Sequence, residues 1–248
     1  MIAWALIGFM VSLVLGLTGA GGGMVSLSLF LIFFDYPIQK ATVLSLLAIG
    51  TGSISNWFLY HKMVVYRVSL TLALFSVPGS YCGVWLKQNL PLLIQKIILL
   101  VVLIMSVHSF WMKESKTQDS IERPHVSRIK IVLSGLCLGA FATLTGLGGG
   151  VILMPLFLGL GFDITTALAS SYFTTAMTAV GSLIVQYQVW EAYRDLKIFV
   201  PLVIGVLFGI VNLKLLKRFL NPRHYSLLRR ILFAAVVLVA AFSILPMK

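Results

Sequence analysis

Two glycine-rich runs carry the clearest chemical signal in this chain of 248 residues. Leu17-Thr18-Gly19-Ala20-Gly21-Gly22-Gly23 matches Leu144-Thr145-Gly146-Leu147-Gly148-Gly149-Gly150 at an offset of 127. Glycine lets the backbone unwind or reverse, and it allows a ligand to approach main-chain N–H groups closely. A helix that opens on such a run offers free N–H donors and the positive end of its dipole to an anion. New helical arms are expected to start near Met24 and Val151. The donors would then come from Gly21, Gly22 and Gly23 and from Gly148, Gly149 and Gly150, with the hydroxyls of Thr18 and Thr145 beside them. An offset of 126 further along pairs Ala41 with Ala167 and Ser45 with Ser171. Ser45 and Ser171 are therefore the matched neutral donors for an anion's oxygens, although a helical hydroxyl also bonds readily to a carbonyl of its own preceding turn.

Other readings of the glycines are weaker. Gly19-Ala20-Gly21-Gly22-Gly23-Met24 lacks the third glycine of GxGxxG, and no Gly-Lys-Ser/Thr follows for a phosphate loop. Small residues also serve helix packing in membranes. That reading suits Gly79-x-x-x-Gly83 and Gly205-x-x-x-Gly209, whereas two matched runs inside overlong apolar blocks favour a substrate-facing turn.

The acidic residues restrict the chemistry further. Asp35, Glu114, Asp119, Glu122, Asp163, Glu191 and Asp195 all fall in loops or at the ends of apolar blocks. Carboxylates in mid-membrane mark cation sites and proton relays, so cation transport is disfavoured. Hydrolytic catalysis lacks an acid or base, and no catalytic residue, cofactor or metal site is expected. His61 and His108 lie near block ends, and Cys82 and Cys137 read as small buried hydrophobes without metal-ligand spacing.

These donors must be positioned by a membrane fold. Hydrophobic residues make up 59% of the chain, charged residues 10%, and mean hydropathy is +1.02. A soluble domain carries about 25% charge, so the composition predicts an all-α polytopic membrane protein with lipid around it. The net charge of +12 comes from Lys and Arg set between apolar runs, where they fix topology rather than bind nucleic acid. No Lys or Arg precedes Lys40, so the first apolar stretch reads as a retained span and not a signal peptide.

Eight apolar blocks are expected, at 2–34, 41–60, 69–87, 91–112, 129–161, 166–188, 196–216 and 228–246. The first and fifth exceed 30 residues, which as one straight helix would be about 50 Å, too long for a single crossing. Each is read as two short helical arms joined by a glycine turn, a re-entrant pair. The polar stretch 113–127 separates a first repeat, 1–112, from a second, 128–248. If both glycine-broken blocks return to the side they entered, 13 of the 19 basic residues share one face. Lys40, Lys87, Lys96, Arg194, Lys197 and Lys248 remain on the other. The positive-inside rule then makes the linker cytoplasmic, both termini external, and the duplication inverted, as in many secondary transporters.

The paired glycine runs, the following Ala-x-x-x-Ser and the polar mid-chain linker resemble the sulfite exporter TauE/SafE family, also called the 4-toluene sulfonate uptake permease family. The likeness spans nearly the whole chain as two repeats. It is most typical at Leu144–Gly150 with Pro155 and Ala167-x-x-x-Ser171, and the first copy departs by carrying Ser28 in place of that proline. The resemblance implies transport of a sulfur-containing oxyanion or organosulfonate, such as sulfite, thiosulfate or sulfoacetate, across the bacterial inner membrane. An anion channel and a non-transporting membrane scaffold are the alternatives. The sequence leaves a homo-oligomer open.

Overall fold

A computed structural model describes residues 2–18, 22–32, 34, 36–91, 93–95, 97–98, 101, 128–192 and 196–219. The eighth apolar block, most of the fourth and the 113–127 linker lie outside the described residues. The described part is helical. In chain order it comprises α1 (Ile2–Thr18), α2 (Gly22–Ile32), α3 (Ile38–Tyr60), a 3₁₀ turn (His61–Met63), α4 (Tyr66–Asn89), α5 (Arg128–Thr145), α6 (Gly150–Gly159), α7 (Ile164–Val185), α8 (Tyr187–Ala192) and α9 (Leu196–Phe219). Four of these helical segments, Ile38–Met63, Tyr66–Asn89, Arg128–Thr145 and Ile164–Val185, are long and apolar enough to cross a membrane.

Both overlong blocks are broken at their glycines, as expected, but the arms are unequal. The leading arms have 17 and 18 residues and the trailing arms 11 and 10. At 1.5 Å per residue α2 and α6 reach only about 15 Å, half the hydrocarbon thickness. The trailing arms begin at Gly22 and Gly150, slightly earlier than the apolar pattern suggests. The chain turns back at each break: a Cβ on Gly22 would lie 2.8 Å from Leu15 Cβ, and one on Gly149 2.9 Å from Leu138 Cδ2.

The helix pairings recur between the two halves. α1 packs on α9 as α5 packs on α4, α2 on α3 as α6 on α7, and α9 on α3 as α4 on α7, with α3 against α7 at the centre. Glycines set the tightest crossings. A Cβ on Gly79 or Gly83 of α4 would meet the carbonyls of Leu136 or Ala140, and one on Gly139 of α5 would meet Ser76 O. Gly205 and Gly209 of α9 meet the backbone of Ala5 and Phe9 in the same manner. With the glycine-run offset of 127, Phe9 corresponds to Leu136, so the second crossing is slid by about one helical turn. The close-packing reading of both GxxxG pairs holds. Gly139→Ala is therefore expected to cost about 1–3 kcal/mol through overpacking against backbone, read as a lower unfolding temperature of the purified protein.

Many hydroxyl side chains are buried and many large apolar ones are exposed around an apolar core, unlike a water-soluble fold. Ser76, Ser80, Thr143, Thr178 and Ser182 form a closed hydroxyl cluster between α4, α5 and α7, with Ser182 Oγ 3.0 Å from Thr143 Oγ1 and 3.1 Å from Ser80 Oγ. Interhelical hydroxyl bonds of this kind join helices where lipid supplies no hydrophobic drive. Leu74, Trp85, Ile129, Ile184 and Phe208 meanwhile face outward. Cys82 and Cys137 also lie exposed, against the expectation of burial. In a membrane protein an apolar side chain gains little by facing protein rather than lipid, so apolar context alone does not imply protein burial.

α7 has a side-chain cap. Asp163 accepts from the N–H groups of Thr165 and Thr166 at 3.1 and 3.2 Å, and from the Thr165 hydroxyl. Partial burial would raise its carboxyl pKa, but the bonds from the two threonines outweigh it and hold the group below the usual carboxylate range. A depressed native pKa contributes stability above the unfolded value and loses it as pH falls through the native one. Asp163→Ala should cost about 0.5–1 kcal/mol at neutral pH, and the difference should vanish in acid below the native pKa when unfolding is measured against pH.

Candidate functional site

The second glycine break is built by side-chain and backbone chemistry together. Thr145 ends α5, its Oγ1 donating to Phe141 O at 2.6 Å and accepting from Leu147 N at 3.3 Å. Gly146, Gly148 and Gly149 then take φ of +71°, +64° and +75°, a region costly for residues with a Cβ. Gly149 caps α6, and its carbonyl accepts from Ile152 N and Leu153 N. The first turn of a helix has N–H donors without intrahelical acceptors, and here that turn opens on Gly150.

The two breaks meet. A Cβ on Gly23, in the first turn of α2, would sit 2.8 Å from Leu147 O and 2.6 Å from Ile49 Cδ1. Ser45 of α3 ties the turns together. Its fully buried Oγ lies 2.9 Å from Gly146 O, 3.2 Å from Gly23 O and 2.6 Å from Ser26 Oγ. From the other side, the Tyr172 hydroxyl of α7 donates to Gly16 O at 3.1 Å and Leu15 O at 3.4 Å near the end of α1. Each central helix thus serves carbonyls at the end of the other half's leading arm.

The floor of the junction is asymmetric. Gly148 lies against Ile49 Cγ2 at 3.0 Å and Thr175 Cγ2 at 3.3 Å, measured from an added Cβ. Ile49 and Thr175 correspond at the offset of 126. Thr175 is 1% exposed and its Oγ1 has no hydrogen-bond partner. A buried hydroxyl without a partner costs about 1–3 kcal/mol, and this one belongs to a residue whose methyl packs on the glycine turn. Gly146 packs on Thr42, whose Oγ1 accepts a 2.7 Å bond from Lys87 Nζ.

The residues expected at the site are distributed unevenly. Gly22, Gly23, Ser45, Thr145, Gly148, Gly149 and Gly150 belong to the two breaks or their junction. Thr18 is the last residue of α1, but its side chain and all of Gly21 lie outside the described residues. Ser171 is buried and donates to Leu168 O at 2.9 Å in its own helix. Tyr172 takes the tying role in α7, one position from the serine singled out by the repeat. Its aromatic ring signals that role poorly, because a tyrosine near a span reads as an interfacial anchor. Thr42 and Lys87 carry no motif at all. His61 Nδ1 pairs with Phe58 O on the surface, and His108 lies outside the described residues. Among the described residues no cluster of three metal-ligating side chains occurs. A cavity of about 340 Å³ between α4, α5 and α6 is apolar apart from Lys130 and Ser134 and shares no residue with the junction.

Apolar helices with outward-facing hydrophobes, buried hydroxyls and two broken helix pairs meeting inside the bundle mark a helical membrane protein. Within that class the chain belongs to the sulfite exporter TauE/SafE family, whose sequence pattern it matches over residues 4–243. It is similar to a probable membrane transporter protein of Methanocaldococcus jannaschii, with 26% identity over 188 residues, covering 72% of this chain and 69% of the relative. It is also similar to the probable membrane transporter protein YdhB of Bacillus subtilis, with 23% identity over 212 residues, 82% of this chain and 85% of the relative. No solved structure matches it significantly. The protein is a membrane transporter and not an enzyme.

Proposed function

We propose that this protein is a secondary transporter for a sulfur-containing oxyanion or organosulfonate, working by alternating access in the bacterial inner membrane. The observation that carries the reading is the junction at Ser45, where both glycine breaks touch inside a chain of the sulfite exporter family. A sulfite or sulfonate group has three acceptor oxygens. N–H groups of Gly21, Gly22 and Gly23 and of Gly148, Gly149 and Gly150 are its proposed donors, with Thr18, Ser45, Thr145 and Ser171 as hydroxyl neighbours. Thr175, whose methyl packs on Gly148, adds a buried hydroxyl without a partner near the second turn.

The two halves, 1–112 and 128–248, are taken as an inverted repeat joined by a cytoplasmic linker at 113–127, with both termini outside. The recurrence of helix pairings supports this, and under that topology 13 of the 19 basic residues would share the cytoplasmic face. Alternating access would then be a rocking of the halves about the fixed junction. One negative charge leaving an inside-negative cell gains about 2.3 kcal/mol per 100 mV, which favours export without a coupled ion.

Labelled efflux from proteoliposomes tests the mechanism. Unlabelled substrate on the opposite side should accelerate efflux of labelled sulfite or sulfoacetate. Flux that never saturates, with unitary current steps, would mark a channel. No flux from correctly inserted protein would turn the junction into a scaffold's packing surface.

A further inference from the structure

Lys87 lies in the last turn of α4, three residues before the capping Leu90, where basic residues ordinarily snorkel toward water and set topology. Its ammonium does something else. It donates at 2.7 Å to Thr42 Oγ1, and Thr42 is fully buried. Thr42 in turn donates to Gln39 O at 2.9 Å and packs on Gly146, its Cβ 2.8 Å from a Cβ built there. α3, α4 and α5, the helices around this contact, contain no Asp or Glu. The lysine backbone is held as well, because the buried Gln95 Nε2 donates to Lys87 O and Leu90 O, each at 2.9 Å. A fixed, half-buried cation bonded to a neutral hydroxyl has spare capacity for an anion, since an ammonium has three donors.

We infer that Lys87 is the counter-charge that first holds the transported anion, passing it to the second glycine turn by way of Thr42. This rests on the proposed function and adds a charged recognition element to a site otherwise made of neutral donors. The two halves differ here: the position matching Lys87 at the offset of 126 is Leu213. The repeat thus places no second lysine at the matching position, and the proposed station belongs to one end of the path. Its ligand class is a small oxyanion, and a single cation that must also let go suits a transient hold better than a deep trap.

Two measurements on the full-length protein test it. The first is acetylation of lysines in nanodiscs by a neutral amine reagent, followed by mass spectrometry, with sulfoacetate or sulfate as the probe anion. Sulfoacetate should slow modification of Lys87 and leave Lys130, on the distant cavity, unchanged. Equal rates at Lys87 with and without either anion overturn the inference, whether or not transport occurs. The second is flux kinetics in proteoliposomes. Lys87→Met should raise KM at least about tenfold, the cost of one lost charge-assisted bond, with a much smaller change in maximal rate. Lys87→Arg should restore most of it. A wild type that transports sulfite while Lys87→Met keeps its KM refutes the role of Lys87 and leaves the proposed function standing. A wild type that moves no anion refutes the function, and the protection result alone then decides whether Lys87 holds an anion.

Discussion

Gly148→Val should abolish anion flux while the protein remains folded in the membrane. Gly148 has φ of +64°, and an added Cβ would lie 3.0 Å from Ile49 Cγ2 and 3.3 Å from Thr175 Cγ2. A β-branched side chain there meets a backbone conformation it tolerates poorly and fills the space between those two residues. Strain of about 1–3 kcal/mol at such a position corresponds to roughly 5- to 150-fold in an equilibrium. The neighbours are side-chain methyls rather than backbone, so the helices can yield by a few tenths of an ångström. Gly161 supplies the control. Its φ is +86°, yet nothing lies within 4 Å of an added Cβ. Gly161→Ala carries comparable backbone strain without touching the junction, and its flux should stay near that of wild type. Equal losses in both variants, measured as labelled-anion efflux per folded protein, would mean that turn strain alone matters and that Gly148 does not face the substrate.

Ser45→Ala has the second large expected effect, and it strikes stability and binding together. The hydroxyl sits between Gly23 O and Gly146 O, and its removal takes its one O–H donor from the shorter contact, the buried Gly146 carbonyl at 2.9 Å. That should cost about 1–3 kcal/mol. It should also weaken anion binding by about five- to tenfold, the worth of one hydrogen bond. Ser26 Oγ still reaches Gly23 O at 3.1 Å, so the first turn keeps one tie and the loss should fall mainly on Gly146. Binding measured by anion-dependent thermal shift reads both quantities. An unchanged midpoint and an unchanged dissociation constant would remove Ser45 from the junction's working parts.

Several of these features are legible in the amino-acid chain itself. Glycine clusters in apolar blocks too long for one crossing predict the two helix breaks, because a straight helix of that length fits no bilayer. The offset of 127 locates both turns, and the GxxxG pairs read as close crossings because only glycine admits backbone at that distance. The polar side chains are harder. Ser171 shares Ser45's repeat position, yet its hydroxyl stays within its own helix and Tyr172 makes the long reach instead. Rotation about a helix axis of one residue decides that outcome, and no periodicity encodes it. Cys82 and Cys137 sit in apolar runs and still face outward, since hydropathy in a membrane helix does not separate lipid-facing from protein-facing positions. Lys87, close to a block end, reads in the sequence as a topology determinant. Its contact with Thr42 depends on how α3 and α4 approach each other, which arises from tertiary packing alone.

The central claim is that the two glycine turns form one anion site in a transporter. Charge movement in proteoliposomes tests it most directly, recorded on adding sulfite, thiosulfate, sulfoacetate, an aromatic sulfonate and chloride in turn. A saturable signal is expected for at least one sulfur anion, none for chloride, and loss of the signal in Gly148→Val. Equal signals for chloride and the sulfur anions, or a full signal in Gly148→Val, would contradict it.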